Sequence, residues 1–430
     1  MGASGLDLIV PRELARATGR LAGAQIFVSA SLPLNATVGA VAAKRLSGHE
    51  GLAGTSVGIA FLFSMLSLFV VGSVAQNLGR KPVLLAGLGL LGLGALVCGL
   101  AISIGSFPLF VLGTAVFGSG QGPAMLGRAA AADLYPPMLR GRGVGTVATA
   151  GAIGAVAGPL IAIAAGGTAG ALGVVRSAGP FLCVPVLGLI ALWLIATMRP
   201  DPRAVASDLT RWYRKLPPIA EPPPPRPRSE LLRLGPARAA MLATALAQAA
   251  MVGVMSITSI ELGDNGWADW QVQLLMAAHF IGMFALAYPV GMLADRIGRR
   301  RTSLYGLGVC AVGAFGTAIT GASPLITPFF FLLGLGWAAC FVSGTAVLAD
   351  ITSPRERGVL TASNDFVVAG FAAAASLSAG AVLSGVGYWA VGVLFGALLL
   401  LAVPGLVRLR EVEVGVYVET PAAELVSSPA

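Results

Sequence analysis

The chain has 430 residues, of which 56% are hydrophobic and only 11% charged, with a formal net charge of +9. Soluble domains carry about 25% charged residues, so this composition excludes one and reads as a protein that crosses a membrane many times. The basic excess does not point to nucleic acid, because the 28 Lys and Arg residues fall between apolar runs rather than on one solvated face.

Taken in order, the apolar runs predict twelve spanning helices near residues 20–43, 52–76, 82–104, 106–133, 143–167, 177–198, 236–262, 268–294, 302–322, 324–349, 358–384 and 386–407. Residues 1–19 contain Arg12, Glu13 and Arg16 and no apolar core, so no cleavable signal peptide is expected. With the N-terminus inside, 24 Lys and Arg residues fall in cytoplasmic segments, against three in outer loops, Lys44, Arg45 and Arg176. That asymmetry predicts a multi-pass protein of the inner or plasma membrane with both termini cytoplasmic. The expected domains are a six-helix bundle over 1–198, a cytoplasmic linker over 199–235, a second bundle over 236–408 and a cytoplasmic tail over 409–430. Within the linker, Leu209 to Lys215 reads either as a short helix on the anionic leaflet or as part of a tolerant spacer, and Pro222 to Pro225 as extended chain. Cys98, Cys183, Cys310 and Cys340 all lie in apolar runs without metal-ligand spacing, so no metal site and no cofactor are expected.

Two loop motifs recur along the chain. Gly72, Gly79 and Arg80 lie 219 residues before Gly291, Gly298 and Arg299, in stretches of the same frame. Asp133-Leu134-Tyr135-Pro136-Pro137 through Arg140-Gly141 matches Asp350-Ile351-Thr352-Ser353-Pro354 through Arg357-Gly358 at a shift of 217. Ordered motifs at nearly one offset indicate a six-helix unit duplicated in parallel, a design found in transporters.

On these loops the chain resembles the major facilitator superfamily, whose signature runs Gly-x-Leu-Ala-Asp-Arg-x-Gly-Arg-Lys/Arg. The 291–300 copy is the better match, and the resemblance covers residues 20–408. It implies an all-α membrane protein with 12 transmembrane helices in two pseudo-symmetric six-helix bundles. It also implies a latch between the halves, built from Gly72, Gly79 and Arg80 in one copy and Gly291, Asp295, Arg296, Gly298 and Arg299 in the other. Gln76 stands where the family has its aspartate, so the latch is expected to lean on the second copy. Gly118 to Ala124 resembles the family's Arg-x-x-Gln-Gly-x-Gly motif, with Gly118 at the arginine position and Gln121 retained. Gly154, Gly158 and Pro159 resemble the exporter motif Gly-x-x-x-Gly-Pro of the fifth helix, although Ile161 and Ala162 replace its closing glycines.

Ionisable groups inside spans are costly, which makes each a candidate for function. Arg128 and Asp365 sit at similar depth in opposite halves. They are expected to pair when the outer side is open and to part when the inner side opens, freeing Asp365 to carry a proton; the alternative pairs Arg128 with Asp133 in its own half. His279 reads either as a protonation switch or as a satisfied core histidine. Asn35 and Gln248 are cavity candidates on the first and seventh spans.

The implied function is secondary active transport of a small, partly hydrophobic molecule by alternating access, as proton-coupled export by a monomer in the lipid bilayer. Two alternatives stay open. One is an uncoupled facilitator or importer of a small metabolite, favoured by Gly118. The other is a non-transporting receptor or enzyme on the same scaffold, which no nucleophile–base or metal grouping supports.

Overall fold

The computed structural model describes residues 10–136, 139–213, 224–353 and 356–409. Among them are twelve helical spans long and apolar enough to cross a membrane: α1 (Arg12–Ser47), α2 (Glu50–Val71), α3 (Arg80–Ile104), α4 (Phe107–Asp133), α5 (Arg140–Ala171), α6 (Arg176–Ala196), α7 (Gly235–Asp264), α8 (Asp269–Ile297), α9 (Arg299–Thr320), α10 (Ile326–Asp350), α11 (Arg357–Gly385) and α12 (Tyr388–Arg408). No strand occurs among the described residues. Successive helices run in opposite directions, which gives the molecule a linker face, where α6 ends and α7 begins, and a far face.

The helices form two bundles, each with its own apolar core. Phe110, Phe117 and Phe181 anchor the first, and Phe330, Leu333 and Phe395 the second. Ala36, Ala40, Ala53 and Val57 of α1 and α2 join the second core, so the bundles meet through these small side chains. Within a bundle, backbones lie on one another. A Cβ on Gly94 would stand 2.2 Å from the Phe117 nitrogen of α4, and one on Gly336 would stand 2.2 Å from the Cys310 nitrogen of α9. Lipid gives apolar helices no reason to associate, so packing at this range supplies the cohesion.

The helix of the second span continues to Leu78 and stops at Gly79, whose φ of 97° only glycine adopts freely; α8 stops at Gly298, also at φ 97°. Each repeated glycine therefore turns the chain in one residue and starts the next helix at Arg80 or Arg299.

The linker is anchored more closely than a spacer would be. Its described residues form the helices Pro202–Ser207, Leu209–Trp212 and Arg228–Leu231. Tyr213 is buried and its hydroxyl donates to the Leu134 carbonyl at 3.0 Å, so the aromatic side chain packs on the first bundle instead of lying on a leaflet. Burial pushes the Tyr213 phenol above its usual range. At the other end Arg226 grips Glu356 through Nε and Nη2, both at 2.8 Å, and donates from Nη2 to the Ile351 carbonyl at 2.9 Å. Arg214, Lys215 and residues 216–223, like the tail from residue 410, lie outside the described residues.

Glu356 is 3% exposed, and its bonds to Arg226 hold its carboxyl down to about 2 from an ordinary 4.5. A depressed carboxylate stabilises the fold above its unfolded value and loses that contribution as pH falls towards its folded one. Glu356→Gln should therefore cost about 2 kcal/mol at neutral pH, below the roughly 3–5 of a fully buried pair because Arg226 stays partly solvated. Thermal melts of purified protein should show this gap constant down to pH 4.5 and closing between pH 4.5 and 2. A gap independent of pH across that window would show that the charge on Glu356 contributes nothing.

Candidate functional site

At the linker face the two repeated loops build the same contact. Arg80, on the first turn of α3, bonds Asp133 at the end of α4 with Nε to Oδ2 at 2.8 Å. Arg299, its counterpart, faces Asp350 at the end of α10 with Nε to Oδ2 at 3.5 Å, and also pairs across the Gly298 turn with Asp295 in the last turn of α8. Each arginine thus ties a loop to the next helix pair of its own bundle. Arg296 is exposed, and a Cβ on Gly291 would meet Val342 of α10 at an ordinary contact distance of 3.8 Å. The surroundings of Gly72 and Gln76, in the last turns before Gly79, lie outside the described residues.

The fifth-helix motif is a seat for α1. A Cβ on Gly154 would stand 2.0 Å from the Ile26 carbonyl, and one on Gly158 2.7 Å from the Ala30 carbonyl, so both glycines carry the α1 backbone directly. Gly118 is equally tight, with its Cβ position 2.3 Å from the Ala60 carbonyl of α2. An arginine at this place would drive α2 and α4 apart.

The bundles are fastened to each other at the far face. Lys44, at the end of α1, bonds Asp264 at the end of α7 at 2.5 Å and Glu50 at 2.7 Å. Gln273 Nε2 of α8 donates to Thr37 Oγ1 of α1 at 3.2 Å, and Ser376 Oγ of α11 donates to the Gly54 carbonyl at 2.9 Å. The cross-bundle hydrogen bonds and ion pairs found among the described residues all lie on this side. Contact between α2 and α11 continues inward to Phe69 and Phe366, whose rings meet edge to face at 4.7 Å.

Beyond that ring pair lie the two charged residues singled out inside the spans. Arg128 sits on the short helix Gly127–Asp133, past the break that follows Pro123, and its charge acts on Asp365 next to Phe366. Neither residue has an ion-pair partner within 4 Å among the described residues. Asp133, the intrabundle alternative for Arg128, is taken by Arg80.

Other singled-out polar groups serve their own bundles. Asn35 accepts from Ser56 Oγ of α2 at 2.8 Å. His279 is fully buried, its Nδ1 bonded to the Phe330 carbonyl at 2.7 Å and its Nε2 without a partner, so it belongs to the second core. Gln121 is buried and makes no side-chain hydrogen bond to a described residue. Gln248 accepts from the Trp337 indole of α10 at 2.6 Å.

That last bond opens onto a feature the sequence reading did not single out. Trp337 stacks on Phe341 at 5.0 Å and meets Phe284 edge to face at 6.0 Å, giving an aromatic wall on α8 and α10. Phe284 lies in the π-helical stretch Ile281–Ala285, a local widening frequent at functional sites. Lys44 with Asp264 was also missed, since the two lie 220 residues apart at the ends of α1 and α7 and no local spacing joins them.

Comparison with known proteins agrees with this architecture. The family model described as the Major Facilitator Superfamily matches residues 21–261 and 240–427. The uncharacterized MFS-type transporter YdeG of Bacillus subtilis is 30% identical, with 90% of each chain covered. The riboflavin transporter RfnT of Brucella anthropi is 27% identical over 90% of this chain and 94% of its own. A crystal structure of a D-xylose-proton symporter superposes with a TM-score of 0.67 at 18% identity, over 92% of this chain and 96% of that one. With twelve apolar spans in two repeated bundles and both halves matched, the chain belongs to the Major Facilitator Superfamily of membrane transporters.

Proposed function

We propose that this protein is a secondary active transporter that exports a small, partly hydrophobic molecule by alternating access in exchange for protons. The observation that carries the reading is one-sidedness. The far face is fastened across the bundles by Lys44–Asp264, Gln273–Thr37 and Ser376–Gly54, while Arg128 and Asp365 stand unbridged on the linker side. Rocking between that arrangement and its opposite is what carries a solute across.

In this reading the linker face is cytoplasmic, supported by the distribution of basic residues, and the protein is a monomer of the inner or plasma membrane. The bundles are 1–198 and 236–408, joined by 199–235 and followed by a cytoplasmic tail. The Asp295–Arg299 pair and the Arg80 loop act as the latch of the opposite state, in which Arg128 and Asp365 close into a pair. The wall of Phe284, Trp337 and Phe341 beside the Gln248 amide supports a flat, partly apolar substrate, and the relative described as a riboflavin transporter points the same way. The seat that Gly154 and Gly158 give to α1 supports the exporter assignment.

The competing reading, an uncoupled facilitator or importer, rests on Gly118. Proteoliposomes decide between them, with riboflavin as the first probe alongside a panel of apolar drugs. Flux that follows an imposed pH gradient supports coupling, and flux indifferent to it supports the facilitator. Reporter fusions in the linker and after residue 409 should both report the cytoplasm.

For the proposed inner gate, Arg128→Asp and Asp365→Arg should each abolish transport and the double exchange should restore part of it. Asp365→Asn should lose proton-driven accumulation, and full accumulation would remove Asp365 as the carrier. At the far face the Lys44–Asp264 pair is partly exposed, and such pairs contribute about 0.2–1 kcal/mol. Lys44→Ala or Asp264→Ala should thus raise the far-side-open population by about 1.4-fold to fivefold. Spin-label distances between exposed positions Thr168 and Ser384 read this directly. Exchanging the two charges should return the distances to wild type.

A further inference from the structure

The two latch loops differ at one telling position, Gln76 against Asp295. In the second copy Asp295 reaches Arg299 by the i to i+4 spacing, and Arg299 also faces Asp350, so the first turn of α9 carries two carboxylates. The first copy keeps the equivalent of only one, in the Arg80–Asp133 pair. Its loop sequence offers no second.

A carboxylate is nevertheless there. Asp201, just past the end of α6, accepts the backbone N–H of Lys81 at 3.2 Å through Oδ2, and that oxygen lies 3.1 Å from where a Cβ on Gly79 would stand. Its other oxygen accepts the Arg203 N–H at 2.8 Å, capping the helix Pro202–Ser207. Two neighbours fix it in place. Lys81 Nζ donates to the Ala196 and Met198 carbonyls at 2.6 and 3.1 Å, which closes the end of α6. Arg203 Nη1 donates to the Asn77 carbonyl at 2.7 Å, which closes the end of the second helix. Three helix ends and the start of the linker are thus capped by one another. The positive end of α3 meets a negative charge, as the field of a helix N-terminus favours.

We propose that Asp201 supplies to the first latch loop the carboxylate that Asp295 supplies to the second, making it a positioning residue that joins the linker to the latch. The inference rests on the latch reading of these loops. It replaces an asymmetric latch by a symmetric one assembled from unlike segments. Position 76 precedes Arg80 by four residues as Asp295 precedes Arg299, so a carboxylate from either source should serve.

The test uses the full-length protein in lipid nanodiscs with spin labels at Thr146 of α5 and Thr361 of α11, both exposed near the linker face. Losing the negative charge beside a helix N-terminus should move the population ratio towards the linker-side-open distance about twofold to fivefold in Asp201→Asn, and comparably in Asp295→Asn. Adding Gln76→Asp to Asp201→Asn should restore the wild-type ratio. Asp201→Ser keeps a hydroxyl to cap the helix Pro202–Ser207, so a purely local role predicts wild-type distances for it and would overturn the proposal. So would a shift in Asp295→Asn with none in Asp201→Asn, or an Asp201→Asn shift that Gln76→Asp fails to reverse. If Asp201→Asn folds poorly, Gln76→Asp must restore its yield along with its distances for the proposal to stand. Unchanged distances in both Asp295→Asn and Asp201→Asn would remove the latch reading itself, and this assignment with it.

Discussion

Backbone-to-backbone packing is the constraint from which the rest follows. In lipid an apolar side chain gains nothing by leaving its solvent, so helices hold together only where they approach closely enough for dense van der Waals contact. The glycines of this chain set that distance. Gly154 lets α5 lie on the Ile26 carbonyl, and Gly118 lets α4 lie on the Ala60 carbonyl of α2. Such contacts leave no space for a substituent, which explains why a position filled by arginine in the family motif is glycine here. A departure that reads as lost chemistry in the sequence is, in the folded chain, a consequence of how tightly α2 and α4 meet.

The same constraint acts at both kinds of interface. Inside the second bundle, buried polar groups such as Gln248 with Trp337 and Thr244 with Asn364 are joined by bonds of 2.6 and 2.9 Å, and breaking one would strand a polar group in an apolar core. Between the bundles, α2 and α11 also meet backbone to backbone at the far face, where a Cβ on Gly54 would stand 1.7 Å from the Ser376 carbonyl. The ion pair beside them is half-solvated, with Asp264 at 52% exposure, and exposed ion pairs are weak, so close packing rather than charge supplies most of the cohesion of this seam.

The spans, the duplication and the turns at Gly79 and Gly298 were legible because each has a local signature: apolar length, repeated spacing and a glycine where φ must be positive. Side-chain partners were legible only where the repeat or a short separation announced them. Arg299 with Asp295 is four residues apart across the Gly298 turn, whereas Arg226 with Glu356 spans 130 residues of sequence and depends on how the linker crosses the linker face. His279 shows the opposite difficulty. Its position along α8 made it a candidate for coupling, but a helix position fixes depth and not direction, and the ring turns towards Phe330 in the second core. The aromatic wall escaped for the same reason, since Phe284, Trp337 and Phe341 become neighbours only when the π-helical stretch of α8 meets α10.

The linker shows how a duplicated fold acquires a long-range link that the duplication itself could not provide. Leu134 and Ile351 are repeat equivalents, and each offers its carbonyl to the linker, one to the Tyr213 hydroxyl and the other to the Arg226 guanidinium. The donors differ because their surroundings do. Beside Ile351 stands Glu356, which an arginine can satisfy in the same bidentate grip, whereas the equivalent position in the first bundle is Leu139, which offers an apolar contact suited to a buried ring. Since both seats belong to the loops that follow α4 and α10, any rotation of one bundle against the other moves the two anchored ends of the linker relative to each other. The linker is therefore tied to both bundles, to the first through Tyr213 and to the second through Arg226.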